Sequence, residues 1–111
     1  MTPPLQITDL PGSERARRFV GKDHGVTASF FVNRQAPGEG PSLHRHPYEE
    51  IFILLDGTAR FRRGDDEIDA QSGEIVIVPP NTPHGFVNTG DERVLFVSIH
   101  PAPEMAQEDL E

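Results

Sequence analysis

The sequence predicts an all-β domain of many short strands, folded as a sandwich or barrel. Three observations carry this. The 11 Pro and 10 Gly stand singly or in pairs between apolar runs rather than in one low-complexity block, as turns between short strands do. The apolar runs at 50–55 (EIFILL), 74–79 (EIVIVP) and 93–100 (RVLFVSIH) are rich in β-branched and aromatic residues and short for buried helices. Turn signals recur at close spacing, which partitions the chain into roughly eight to ten strands.

Taken in order, residues 1–13 form a Pro-rich arm with one short alternating piece at Leu5 and Ile7. A strand follows at 15–20, then a turn at KDHG (22–25), where His24 is expected to be exposed. Residues 26–35 (VTASFFVNRQ) form the next strand, and APGEGP at 36–41 is a loop in which no regular element survives. The strand at 43–46 is interrupted by Pro47, which lacks an N–H donor. The strand at 50–55 is apolar on both faces: Glu50, Phe52 and Leu54 share one, and Ile51, Ile53 and Leu55 the other. Asp56–Gly57 reads as a tight hairpin turn into a strand at 58–63. Further strands are expected at 67–70, 74–79, 84–88 and 93–100. Pro80–Asn81 fits a type II turn, whose second central position needs positive φ. The chain reads as one domain with its barrel at 14–100. The tail at 101–111 is acidic, and 104–110 is expected to form a helical turn or a frayed end.

Composition excludes several function classes. The net charge of −8 repels phosphate backbones and anionic headgroups, which sets aside nucleic acid and membrane as partners and leaves a small molecule. Cysteine is absent, so any metal is held by N and O donors. No apolar run approaches membrane-spanning length, and the first twenty residues lack an apolar h-region. The expected location is therefore the cytoplasm.

The chemistry concentrates at 38–57, GEGPSLHRHPYEEIFILLDG. His44, His46 and Glu50 are two and four residues apart, so an extended chain turns all three to one face. Two imidazoles and a carboxylate make half a metal site. His84 follows PPNTP and opens a strand expected to return toward the first, which makes it the natural fourth donor. Three His and one Glu suit a single divalent transition ion: Fe, Mn, Ni, Co or Zn. The plainer alternative is a polar cluster without metal, but a buried Glu among His residues is costly without a cation.

These residues resemble the cupin superfamily. Its first motif, G-x5-H-x-H-x3-4-E-x6-G, is met by Gly38, His44, His46, Glu50 and Gly57. Its second, G-x5-P-x-G-x2-H-x3-N, is met by Gly73, Pro79, His84 and Asn88, with Asn81 at the middle Gly. Asn tolerates positive φ better than other non-Gly residues, and the departure touches no ligand. The resemblance implies a small jelly-roll β-barrel of the cupin (double-stranded β-helix) type with His44, His46, Glu50 and His84 as metal ligands. It leaves the reaction open, because known cupins include dioxygenases, isomerases, cyclases and binding proteins.

Around this site the assignments rest on parity. Phe52 and Phe86 lie two residues from Glu50 and His84 and are pocket candidates, whereas Phe61 and Phe96 read as core. Asn33, Gln35 and Arg63 are placed at the pocket mouth. Tyr48 and His100 are the catalytic candidates: Tyr48 is expected at the rim, and His100, at a strand end, at the surface or an interface rather than in the pocket. Asn88 is expected to tie down a turn through its amide. The second apolar face of 50–55 needs cover, and a homodimer is the expected answer. The functional expectation is a metal-dependent small-molecule enzyme, with dioxygenase-like chemistry ahead of isomerisation or cyclisation. A metal-dependent binding or sensor module is the alternative.

Overall fold

The computed structural model describes residues 3–111; the start of the predicted arm, Met1 and Thr2, lies outside them. Eleven strands form among the described residues. They are β1 (Gly12–Ser13), β2 (Ala16–Phe19), β3 (Ser29–Gln35), β4 (His44–Arg45), β5 (Glu50–Asp56) and β6 (Thr58–Arg63). The remainder are β7 (Asp66–Gln71), β8 (Ile75–Val78), β9 (His84–Val87), β10 (Val94–His100) and β11 (Glu108–Asp109). They build two antiparallel sheets, one in the order β1-β2-β3-β10-β5-β8 and one in the order β11-β4-β9-β6-β7. The two sheets make the small all-β barrel that the resemblance implies. No helix among the described residues is long and apolar enough to cross a membrane.

Alternation drives the packing. In β5, Glu50, Phe52 and Leu54 are buried; in β10, so are Val94, Phe96, Ser98 and His100. Phe52, Phe61, Phe86 and Phe96 meet at the centre, with ring centroids 4.8 Å apart for Phe52–Phe61 and for Phe86–Phe96. Burial of Phe61 and Phe96 is nearly complete, as expected of core residues.

Three local expectations change, and two others hold. Asp56–Gly57 does not close a hairpin: β5 pairs with β8 and β10, whereas β6 pairs with β7 and β9, so this turn is the corner where the chain changes sheets. Positive φ at Gly57 (88°) bends the chain there, and the partners β5 needs arrive from later in sequence. The KDHG segment is the turn expected, part of a 3-10 turn at Gly21–His24, with His24 exposed as expected and its ring stacked on Phe19 at 4.3 Å. The tail is neither helical nor frayed at 108–109, because β11 adds to the edge of β4. Finally, β5 is not covered on both faces. Ile51 and Ile53 are half-buried, Leu55 is exposed, and β1–β2 extend the far edge of the sheet rather than lying over β5. Asn81 has φ 57°, the positive value the Pro80–Asn81 turn calls for.

Candidate metal centre

His44 opens β4 and His84 opens β9, and the two residues stand directly opposite in register. His46 follows β4, and Glu50 opens β5 on the facing sheet. The four side chains are buried, and one ligand atom from each lies within 4.8 Å of the others. Nε2 of His46 and Nε2 of His84 both sit 3.0 Å from Glu50 Oε1.

The outer nitrogens explain why the inner ones converge. His44 Nδ1 donates to the Ser42 carbonyl (2.8 Å), His84 Nδ1 to the Thr82 carbonyl (2.8 Å) and His46 Nδ1 to the Ala106 carbonyl (2.7 Å). Each bond fixes a ring orientation with Nδ1–H outward and aims Nε2 inward, where it can take a cation or, protonated, donate to Glu50 as His84 Nε2 does at 3.0 Å. His46 Nε2 is buried and makes no hydrogen bond. The charge of the buried carboxylate must be answered by protons on the surrounding rings or by a cation, and three inward imidazole nitrogens beside one carboxylate are a donor set that fits a divalent metal ion. These same four residues form the group that could hold one.

Burial opposes ionisation of Glu50, but His100, His46 and His84 around it prevail and hold its carboxyl well below the ordinary range. His44 is pushed down, chiefly by burial. For His46 burial also opposes the charged form, yet Glu50 and the Ala106 carbonyl raise its value.

His100 corrects the surface expectation. It is 2% exposed, with Nε2 3.2 Å from Glu50 Oε2. The register explains this: Ile99 opposes Ile51, so His100 falls beside Glu50 on the inward face. Tyr48 is half-buried and stands beside the cluster without lining the cavity. Its ring stacks on His46 and its hydroxyl lies 2.7 Å from His100 Nδ1, donating to it when Nδ1 is unprotonated.

A cavity of about 120 Å³ opens beside the cluster. Phe31, Phe52, Phe86 and Pro41 form its apolar wall; Ser98, His100 and Gln107 supply polar atoms. Asn33, Gln35 and Arg63 do not reach it. Asn33 opposes Phe96 and Gln35 opposes Val94, four and six residues from His100 along β10. At a rise of about 3.3 Å per residue they stand ~13 and ~20 Å from the site end of the strand. Asn33 Nδ2 instead holds Ser98 Oγ (3.3 Å), and Gln35 turns to the Arg15 carbonyl (3.5 Å). Arg63 opposes His84, but its guanidinium donates to the Ile77 carbonyl at 3.0 Å. Phe31, Pro41 and Gln107 were missed by parity reasoning, since only the sheet register and the path of the tail bring them here. Asn88 caps a turn, accepting from Gly90 N–H (2.9 Å) and donating to the Gln35 and Glu92 carbonyls.

Comparison with known proteins agrees with this geometry. Protein SchB of Streptomyces halstedii is 32% identical over 94 residues, 78% of this chain and 67% of that protein. Gentisate 1,2-dioxygenase of a Haloferax species is 24% identical over 107 residues, 89% of this chain but 30% of the enzyme. Among solved structures, oxalate decarboxylase of Bacillus subtilis superposes with a TM-score of 0.78 at 23% identity, covering 91% of this chain and 29% of that one. That decarboxylase has Mn(II) centres. The chain thus spans about a third of these two enzymes. The model of the cupin domain family matches residues 31–100, which hold all four donors, and on that match the chain belongs to the cupin family.

Proposed function

We propose that the chain is a divalent-metal-dependent enzyme for a small oxygen-bearing molecule, with oxidoreductase chemistry of the dioxygenase type ahead of isomerisation or cyclisation. The observation that carries this is the inward convergence of imidazole nitrogens on buried Glu50, each ring held by a carbonyl at Nδ1. His44, His46, Glu50 and His84 would hold one ion of Fe, Mn, Ni, Co or Zn. Such an ion, when bound, supplies Lewis-acid polarisation of substrate oxygens, or O₂ activation if it is Fe(II). The gentisate dioxygenase and oxalate decarboxylase relatives act on small oxygen-rich molecules, which supports this substrate class.

The residues of the chain do the rest. Phe31, Phe52 and Phe86 keep bulk water from one side of the cavity and limit what enters it. Tyr48 and His100 are the proton-handling pair: the hydroxyl meets His100 Nδ1, and Nε2 points to the Glu50 side of the cavity. Few other acid/base groups line the cavity, which favours metal-centred chemistry. The test is to strip the protein, load it with Fe(II) and follow O₂ uptake with a panel of enediols and catechols. Uptake with one class supports the oxygenase reading; no uptake with any of them removes it.

A second reading is a metal-dependent binding or sensor module, favoured by the small size of the cavity, about 120 Å³. A small ligand that co-purifies and is not turned over would select it. In either case we propose a homodimer, formed through the outer faces of β5, β8 and β10. Their outward residues Ile51, Ile53, Ile75, Ile77, Val97 and Ile99 offer no charge for an unlike partner to complement, and Ile75 and Ile77 are 62% and 56% exposed.

A further inference from the structure

The last six residues return across the site. β11 pairs with β4, setting Glu108 against Arg45 and Asp109 against His44. The Arg45 guanidinium forks onto the Glu108 carboxylate, with Nη2 3.0 Å from both oxygens. Leu110 N–H donates to the Leu43 carbonyl, and Leu43 N–H donates to Glu111 Oε1, both at 2.9 Å. Ala106 is tied at both ends: its N–H donates to the Tyr48 hydroxyl (3.2 Å) and its carbonyl accepts from His46 Nδ1 (2.7 Å).

This last contact is unlike its counterparts. His44 and His84 each find an Nδ1 acceptor two residues back in their own strand segment, at Ser42 and Thr82. His46 takes its acceptor from 60 residues away. Two imidazoles therefore have Nδ1–H held by local chain geometry, and the third has it held only when the tail is in place. The tail is exposed from Ala106 to Glu111 and is held by polar contacts rather than by burial. Such segments open at low free-energy cost. Gln107 forms part of the cavity wall, so opening the tail also opens the cavity.

We propose that Ala106–Glu111 is a strap built into the metal centre: a positioning segment that orients His46 through the Ala106 carbonyl, anchored by the Arg45–Glu108 fork. The proposal rests on the reading of His44, His46, Glu50 and His84 as ligands. Coupling of this kind is reciprocal, so a bound metal also tightens the strap.

Co(II) is the probe, titrated into the metal-free protein of residues 1–111 and read by its visible d–d bands. Glu108→Arg sets two guanidinium groups against each other. It is expected to weaken Co(II) binding about 10- to 100-fold, the usual effect of losing a ligand's outer hydrogen bond, and to change the band shape. The swap Arg45→Glu with Glu108→Arg restores the fork in reverse and recovers affinity and spectrum. In the wild-type protein, Co(II) slows hydrogen–deuterium exchange across 106–111. Wild-type affinity and spectrum in folded Glu108→Arg would overturn the proposal alone, leaving the metal reading intact. Should that variant not fold, exchange in the wild-type decides: equal rates with and without Co(II) overturn the strap. A wild-type protein that takes no Co(II) removes both the strap and the metal centre.

Discussion

Glu50 is a carboxylate buried among imidazoles, and its charge must be answered from within the barrel. In the metal-free protein the answer is His residues; in the loaded protein it would be the ion. Because the folded value of Glu50 is depressed, its charge contributes stability above the ordinary carboxyl value of 4.5, and that contribution is lost as the pH falls below it. The metal-free wild-type protein is therefore expected to exceed Glu50→Gln in stability at pH 7, with the gap closing toward pH 3. Urea denaturation across that range measures it, and a gap independent of pH would contradict the assignment. His46 carries the complementary prediction. His46→Ala is expected to lower bound metal at least about tenfold and to lower the melting temperature in excess metal. Unchanged metal content by elemental analysis would mean that His46 is not a ligand.

At the scale of the element, the donors depend on how strands start and end. His44, Glu50 and His84 each open a strand, and His100 closes one, so four side chains gather at one end of the barrel. Their parity was readable in the sequence because alternation is local. Their depth was not: His100 is buried because Ile99 aligns with Ile51 in β5, a pairing between residues 48 positions apart that no local pattern encodes. The same limit misplaced Asn33 and Gln35, which have inward parity but stand too far along β3. Corners were misread for a related reason. Asp-Gly signals a tight turn without saying whether the strands it joins will pair. Gly57 has φ 88°, and an added Cβ would stand 3.0 Å from the Arg93 carbonyl and from Val94 Cα. Gly57→Ala is expected to cost about 1–3 kcal/mol in urea denaturation, with the slope unchanged. A variant as stable as the wild-type protein would mean that the corner relaxes.

For the whole molecule, the open question in the fold is the outer face of the six-stranded sheet. β5, β8 and β10 are adjacent there, and their outward side chains are aliphatic. Sequence reasoning expected cover over β5; the described residues leave Ile75 and Ile77 of the neighbouring β8 exposed on that face. Burial by a second copy would resolve it through an isologous contact. Light scattering is expected to give about twice the 12.3 kDa chain mass. The double substitution Ile75→Lys and Ile77→Lys should return the mass to one chain without loss of bound metal. A wild-type protein that is already monomeric would remove the dimer.

The sequence alone determined the all-β class, most strand positions and the donor residue types at fixed spacing, because alternation, turn chemistry and motif spacing are properties of neighbouring residues. It also pointed to the cupin barrel through nine positions in two motifs. Only the tertiary structure decided which inward residues reach the site, that His100 and Tyr48 stand together beside Glu50, and that the tail supplies the carbonyl for His46. Those facts depend on strand register and on contacts between distant segments, which form when the two sheets close on each other.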